Sequence, residues 1–212
     1  MSEKVNFTYS SSEEKLNIWS HAFGLLLSAI AFPFLLIKAF SFDGFWKPTS
    51  FIIYGLSLMI LYAASTFYHA ATAPKKRRKL NIVDHSAIYV LIAGSYTPFI
   101  LVGLDSVLGN YMFVFVWFFA LVGVILKLFF TGRFNKLSTA MYLLMGWQGV
   151  FFISPLMESL SSFSLHYLFI GGVFYSIGAV LYMIKKLPYN HAIFHLFVLL
   201  GSFSHFLAIY YS

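Results

Sequence analysis

His191 and His195 stand four residues apart in the run His191-Ala192-Ile193-Phe194-His195. On a helix that spacing puts both imidazoles on one face, one turn apart. Neutral imidazole is a usual zinc ligand, so the pair offers two nitrogens to one ion. Far upstream, His69 follows Ser65 by four residues, and Asp84 precedes His85. Three protein ligands plus one open, water-filled position is the arrangement of catalytic zinc. The expected site is therefore zinc on His69, His191 and His195. Asp84 would hydrogen-bond the water or a ligand in the open position. Ser65 faces the same way as His69 and would hydrogen-bond substrate or water. Zinc brings the pKa of a bound water towards about 7 and polarises a carbonyl, which suits hydrolysis of an amide or ester.

The elements that must bring these residues together are read from hydropathy. The chain has 212 residues, of which 60% are hydrophobic and 10% charged, with a mean hydropathy of +0.81. Soluble domains carry about 25% charged residues, so the bilayer is the expected solvent. Seven apolar runs separate at roughly 16–40, 49–72, 82–103, 109–131, 137–156, 163–184 and 190–211. Each is about the 20 residues that cross a hydrocarbon core. Backbone groups must be satisfied within each segment, so the runs are helices. The alternation of barrel strands is absent. The expected fold is all-α, one bundle of seven transmembrane helices over residues 13–212. Residues 1–12, with Ser10, Ser11 and Ser12 in a row, are expected to form a disordered tail. The first run is too long for a signal-peptide core and reads as a retained helix. Pro33 and Pro98 fall inside the first and third helices, where they should kink the rod. Connections are short, with Ala73 to Lys79, Asp105 to Leu108 and Gly132 to Lys136 among them. The absence of Cys excludes disulfides, zinc–thiolate sites and a cysteine nucleophile.

Lys and Arg set the orientation. With the N-terminus inside, Lys4, Lys15, Lys75, Lys76, Arg77, Arg78, Lys79, Lys127, Arg133, Lys136, Lys185 and Lys186 are on the inner side. Only Lys38 and Lys47 are outside, so the 14 basic residues divide twelve to two. The N-terminus is expected in the cytoplasm and the C-terminus outside. This distribution explains the net charge of +7, and Lys75 to Lys79 reads as a topological anchor beside anionic headgroups rather than a nucleic-acid site.

Topology then places His21, His69, Asp84, His85, His191 and His195 at one depth, at the inner ends of four helices. Scattered core histidines would not coincide in this way. His85 is about 100° round the helix from Asp84 and reads as structural. His205 lies about 15 Å deeper than His195 and cannot share the ion. His166 falls near the outer face. Glu14, Asn17, Ser20 and His21 read as a helix-start network joining the inner ends. Gly171, Gly172 and Gly178 are expected to allow close helix packing.

These residues carry a resemblance. The chain resembles the hemolysin III family, the bacterial branch of the progestin and adipoQ receptor superfamily. Its motifs are E-x-x-N-x-x-S-H at Glu14, Asn17, Ser20 and His21, S-x-x-x-H at Ser65 and His69, Asp84, and H-x-x-x-H at His191 and His195. The resemblance implies a seven-helix fold in a bacterial cytoplasmic membrane, with zinc on His69, His191 and His195 and Asp84 contacting it through water. Alkaline ceramidases look similar in the same pattern, which implies hydrolysis of lipid amides. The family name implies haemolytic activity, and bacterial members imply a role in membrane fluidity.

The leading expectation is a multi-pass membrane zinc hydrolase of lipid amides or esters at the cytoplasmic membrane edge, with a membrane lipid as substrate or ligand. The alternative is a non-enzymatic regulator of membrane lipid state with zinc as a structural clamp. A haemolysin acting on host membranes fits less well, because no secretion signal is visible and helices this apolar would have to leave their own membrane.

Overall fold

The computed structural model describes residues 9–104, 106–131 and 134–212. The expected tail residues 1–8, with Lys4, and the loop residues Asp105 and Arg133 lie outside the described residues. Among the described residues eight α-helices follow in chain order: α1 (Ser11–Ala39), α2 (Trp46–Ala70), α3 (Pro74–Gly103), α4 (Ser106–Phe130), α5 (Asn135–Gly146), α6 (Ile153–Ser159), α7 (Ser162–Met183) and α8 (Asn190–Tyr210). Seven segments are long and apolar enough to cross a membrane, the fifth being the stretch Lys136–Ser159. The all-α, seven-span architecture expected from hydropathy is the one observed.

Two boundaries differ from expectation for physical reasons. α1 begins at Ser11, because the Ser10 hydroxyl accepts from the Glu13 N–H at 3.2 Å and caps it. Glu13 and Glu14 in its first turn favour the positive end of the helix dipole. α3 begins at Pro74, eight residues before the apolar run, because proline suits the first helical turn. The basic run from Lys75 to Lys79 is therefore helical rather than a loop.

The fifth span is not one rod. α5 stops at Gly146, a 3₁₀ turn spans Gln148–Phe152, and α6 completes the crossing. Irregular backbone within a bilayer needs partners from neighbouring helices. Tyr96 of α3 provides them: its hydroxyl donates to the Gly146 carbonyl at 2.5 Å and accepts from the Gly149 N–H at 2.8 Å. Pro33 and Pro98 are both accommodated inside continuous helices.

Helices pack in the order α4, α3, α2, α1, α8, α7, each along its neighbour. α5 and α6 complete the ring with thinner contact to α3 and α7. The close pairing of α7 and α8 depends on two small residues. A Cβ at Gly171 would meet His205 at 2.1 Å, and one at Gly178 would meet Phe197 at 2.7 Å. Gly172 has only ordinary contacts at 3.8 Å, so close packing does not require it. Within the ring, the Tyr62 hydroxyl donates to Ser202 Oγ at 2.7 Å and Tyr175 meets the same oxygen at 2.9 Å, tying α2, α7 and α8. Trp19, Ile37, Phe118, Phe129 and Phe169 face outward, as a surface in contact with lipid requires.

Candidate metal and lipid site

α2 and α8 present the histidines at the end of the bundle where α1, α3 and α8 begin. His69 closes the last turn of α2, and His191 and His195 occupy the first two turns of α8. The start of α8 is held by Asn190, whose amide donates to the Tyr182 carbonyl of α7 at 2.7 Å. Tyr189 precedes it with φ 56°, a left-handed conformation uncommon for a residue with a side chain.

All three imidazoles are buried, and their Nε2 atoms converge. His191 Nε2 lies 3.1 Å from His69 Nε2 and 3.0 Å from His195 Nε2. Their Nδ1 atoms are engaged elsewhere in two of the three. His69 Nδ1–H donates to Glu14 Oε2 at 2.7 Å. His195 Nδ1 lies 3.1 Å from Ser20 Oγ, and the Ser20 hydroxyl donates to the Asn17 carbonyl at 3.1 Å. That relay assigns the His195 proton to Nδ1. Both rings then turn an Nε2 lone pair towards His191. A neutral His191 has at most one Nε2 proton, which satisfies one neighbour and leaves the other contact without a donor. Tetrahedral zinc with Zn–N of about 2.0–2.1 Å requires nitrogens about 3.3 Å apart, and the two contacts of His191, at 3.1 and 3.0 Å, are near that spacing. His69, His191 and His195 could thus hold a metal ion, their ligand atoms all within 4.8 Å of one another.

The supporting residues come from α1 and α3. Glu14 accepts from His69 with one oxygen and from Arg77 with the other. A carboxylate behind a ligand histidine fixes its tautomer and raises its basicity. Arg77 also donates to the carbonyls of Tyr68, His69 and Ala71, at 3.2–3.4 Å, and so caps the end of α2. Arg77 is buried, which corrects its assignment to an exposed anchor; Lys75, Lys76, Arg78 and Lys79 are exposed. Tyr9 stacks on His191 at 4.7 Å and covers the triad from the α1 side. Burial pushes its phenol pKa well up, so it stays neutral.

A cavity of about 710 Å³ extends from this point. Its wall includes His191 and His195, together with Ser65 and Asp84. The lining runs from Tyr182 at one end of α7 to Ser162 at the other, and is mostly apolar. Volumes of this size hold drug-sized or lipid-sized ligands. The Ser65 hydroxyl is buried beside the Asp84 carboxyl, its nearest hydrogen-bonding neighbour. His85 Nδ1–H donates to the Asn81 carbonyl at 2.9 Å, lies 3.6 Å from Asp84 and also reaches the cavity. His205 donates to the Leu168 carbonyl within the bundle, and His166 bonds back to Ser162. His21 stacks on His195 at 3.5 Å and takes no part in the triad.

Sequence reasoning missed Tyr9, Arg77 and the specific task of Glu14. Only Glu14 carried a signal, as the first residue of the α1 motif.

A sequence model described as Haemolysin-III related matches residues 9–206. The Hemolysin-3 homolog of Bacillus subtilis is 46% identical over 95% of this chain and 94% of its own length. Hemolysin-3 of Bacillus cereus is 43% identical, covering 95% and 93%. The human monocyte to macrophage differentiation factor is 28% identical, covering 93% and 83%. With seven spans and a match along nearly its whole length, the chain is a multi-pass membrane protein that belongs to the haemolysin III family.

Proposed function

We propose that this protein is a zinc-dependent hydrolase of lipid amides or esters, acting at the cytoplasmic edge of a bacterial inner membrane. The observation that carries the reading is the convergence of three Nε2 atoms at one end of a long apolar cavity that also contains Ser65 and Asp84. His69, His191 and His195 would hold the ion, with His69 and His195 oriented by Glu14 and Ser20. The ion supplies Lewis acidity and an acidified water at that point. The apolar lining takes the acyl chain and excludes bulk water. Asp84 accepts a proton from the attacking water and returns it to the leaving amine or alcohol. The Ser65 hydroxyl, beside Asp84 on the cavity wall, donates to the substrate carbonyl. Residues 13–212 form one functional unit with the N-terminus in the cytoplasm.

The test is metal analysis of purified protein together with turnover of N-acyl and O-acyl lipids. Wild type should contain zinc and release fatty acid. Asp84→Ala should retain zinc and lose turnover. Metal-free wild-type protein, or an active Asp84→Ala, would sink the proposal.

A second reading keeps the metal but not the chemistry. The triad joins α2 to α8, and Glu14 with Arg77 ties in α1 and α3. Zinc as a clamp on four helices accounts for that arrangement. In this case Asp84→Ala leaves the membrane-lipid phenotype of the cell intact, whereas His191→Ala abolishes it.

A further inference from the structure

Lys127 is the only charged residue of α4, and it is turned inward. A lysine one turn from the end of a membrane helix ordinarily extends its ammonium to the interface. Lys127 is instead 3% exposed, and its side chain lines the cavity. Its ammonium donates to Ser138 Oγ at 2.6 Å and lies 5.7 Å from the centre of the Tyr142 ring. An ammonium has three donors, and one is satisfied in this way. Among the described residues the carboxylates Glu14 and Asp84 lie against His69, Arg77 and His85, and neither is paired with Lys127. A buried charge in an apolar setting is costly unless it is paired and hydrogen-bonded. His85, Ser138 and Thr139 share the same wall. Asp84, the carboxylate on that wall, is not paired with Lys127.

We propose that Lys127, with Ser138, is a binding subsite for an anionic oxygen group on a lipid whose acyl chain occupies the cavity. The group is a phosphate of a phospholipid or the carboxylate of a fatty acid. A charge-assisted hydrogen bond to a phosphate or carboxylate oxygen suits a lysine, which acts there as a point charge. This assignment rests on the cavity being a lipid site, as proposed above, and not on hydrolysis. The subsite lies at the same end of the bundle as the triad, because α4 ends where α3 begins. An anionic lipid held there would have its headgroup at the triad end and its chain directed towards Ser162.

The test is equilibrium binding of three probes with matched chains to the purified full-length protein in detergent: phosphatidylglycerol, oleate and dioleoylglycerol. Wild type should bind at least one anionic probe about tenfold more tightly than the neutral one, the size expected of one charge-assisted bond. Lys127→Met should remove that preference while leaving dioleoylglycerol binding and metal content unchanged, and Lys127→Arg should retain it. A preference confined to phosphatidylglycerol identifies phosphate, and one confined to oleate identifies carboxylate. A wild type that binds all three alike overturns the proposal without any variant. So does a Lys127→Met protein that keeps the preference. Binding is read without turnover, so an inactive wild type would count against the hydrolase and not against the subsite.

Discussion

At the scale of single residues, the triad was legible because two of its members share one helix. The spacing of His191 and His195 needs only a helical period, and His69 follows once the spans are counted. Glu14 and Arg77 were harder to read. Their partnership joins residues 63 positions apart, and no local pattern records an ion pair between helices. Glu14 is the residue whose role the structure changes most. If its carboxylate orients His69, Glu14→Gln keeps the shape but weakens the acceptor. Loss of such a partner costs about 10- to 100-fold in metal affinity. Competition with a chelator should show that loss in Glu14→Gln, with the helical circular dichroism unchanged. An unaltered affinity would reduce Glu14 to a structural partner of Arg77. Arg77→Met is expected to be more damaging, because it leaves the Glu14 carboxylate buried with one partner fewer and frees the carbonyls at the end of α2. Removing one member of a buried pair costs about 3–5 kcal/mol, which a thermal-shift measurement in detergent would register as a large drop.

At the scale of elements, hydropathy located every crossing, but it could not see the break in the fifth. The run 137–156 is apolar throughout, and apolarity is the same for a straight helix and a broken one. Gly146 and Gly149, poor helix formers, flank the break, and a partner on another helix supports it. Tyr96 meets both freed backbone groups, an arrangement that depends on α3 lying alongside. Tyr96→Phe leaves the Gly146 carbonyl and the Gly149 N–H without that hydroxyl. A backbone group left without a partner at membrane depth is costly, so this variant should unfold at lower temperature. Hydrogen exchange should quicken across Gln148–Phe152 and leave α2 and α8 unaffected. Uniform protection in both proteins would show that the 3₁₀ turn does not depend on Tyr96. The start of α3 was misplaced for a related reason: Lys and Arg are good helix formers, and charge marks the membrane boundary rather than the helix boundary.

At the scale of the whole molecule, the histidine triad lies where four helices meet at one end, and the fate of that end decides the function. A ligand that binds only the folded state adds about 2.7 kcal/mol at a hundred times its dissociation constant. Chelation should therefore lower the melting temperature, and zinc should restore it, for the hydrolase and the clamp alike. Orientation separates a cytoplasmic site from an external one. The chain contains no cysteine, so single cysteines can be placed without background labelling. Lys76 near the triad end and Lys47 at the start of α2 are both exposed and lie at opposite ends of that helix pair. The division of basic residues, twelve to two, predicts that Lys76 is inside. Lys47→Cys should react with a membrane-impermeant maleimide in intact cells, and Lys76→Cys only after permeabilisation. The opposite pattern would put the histidines outside. A lipid hydrolase working on the inner leaflet would then be excluded, and the charge asymmetry would need another cause.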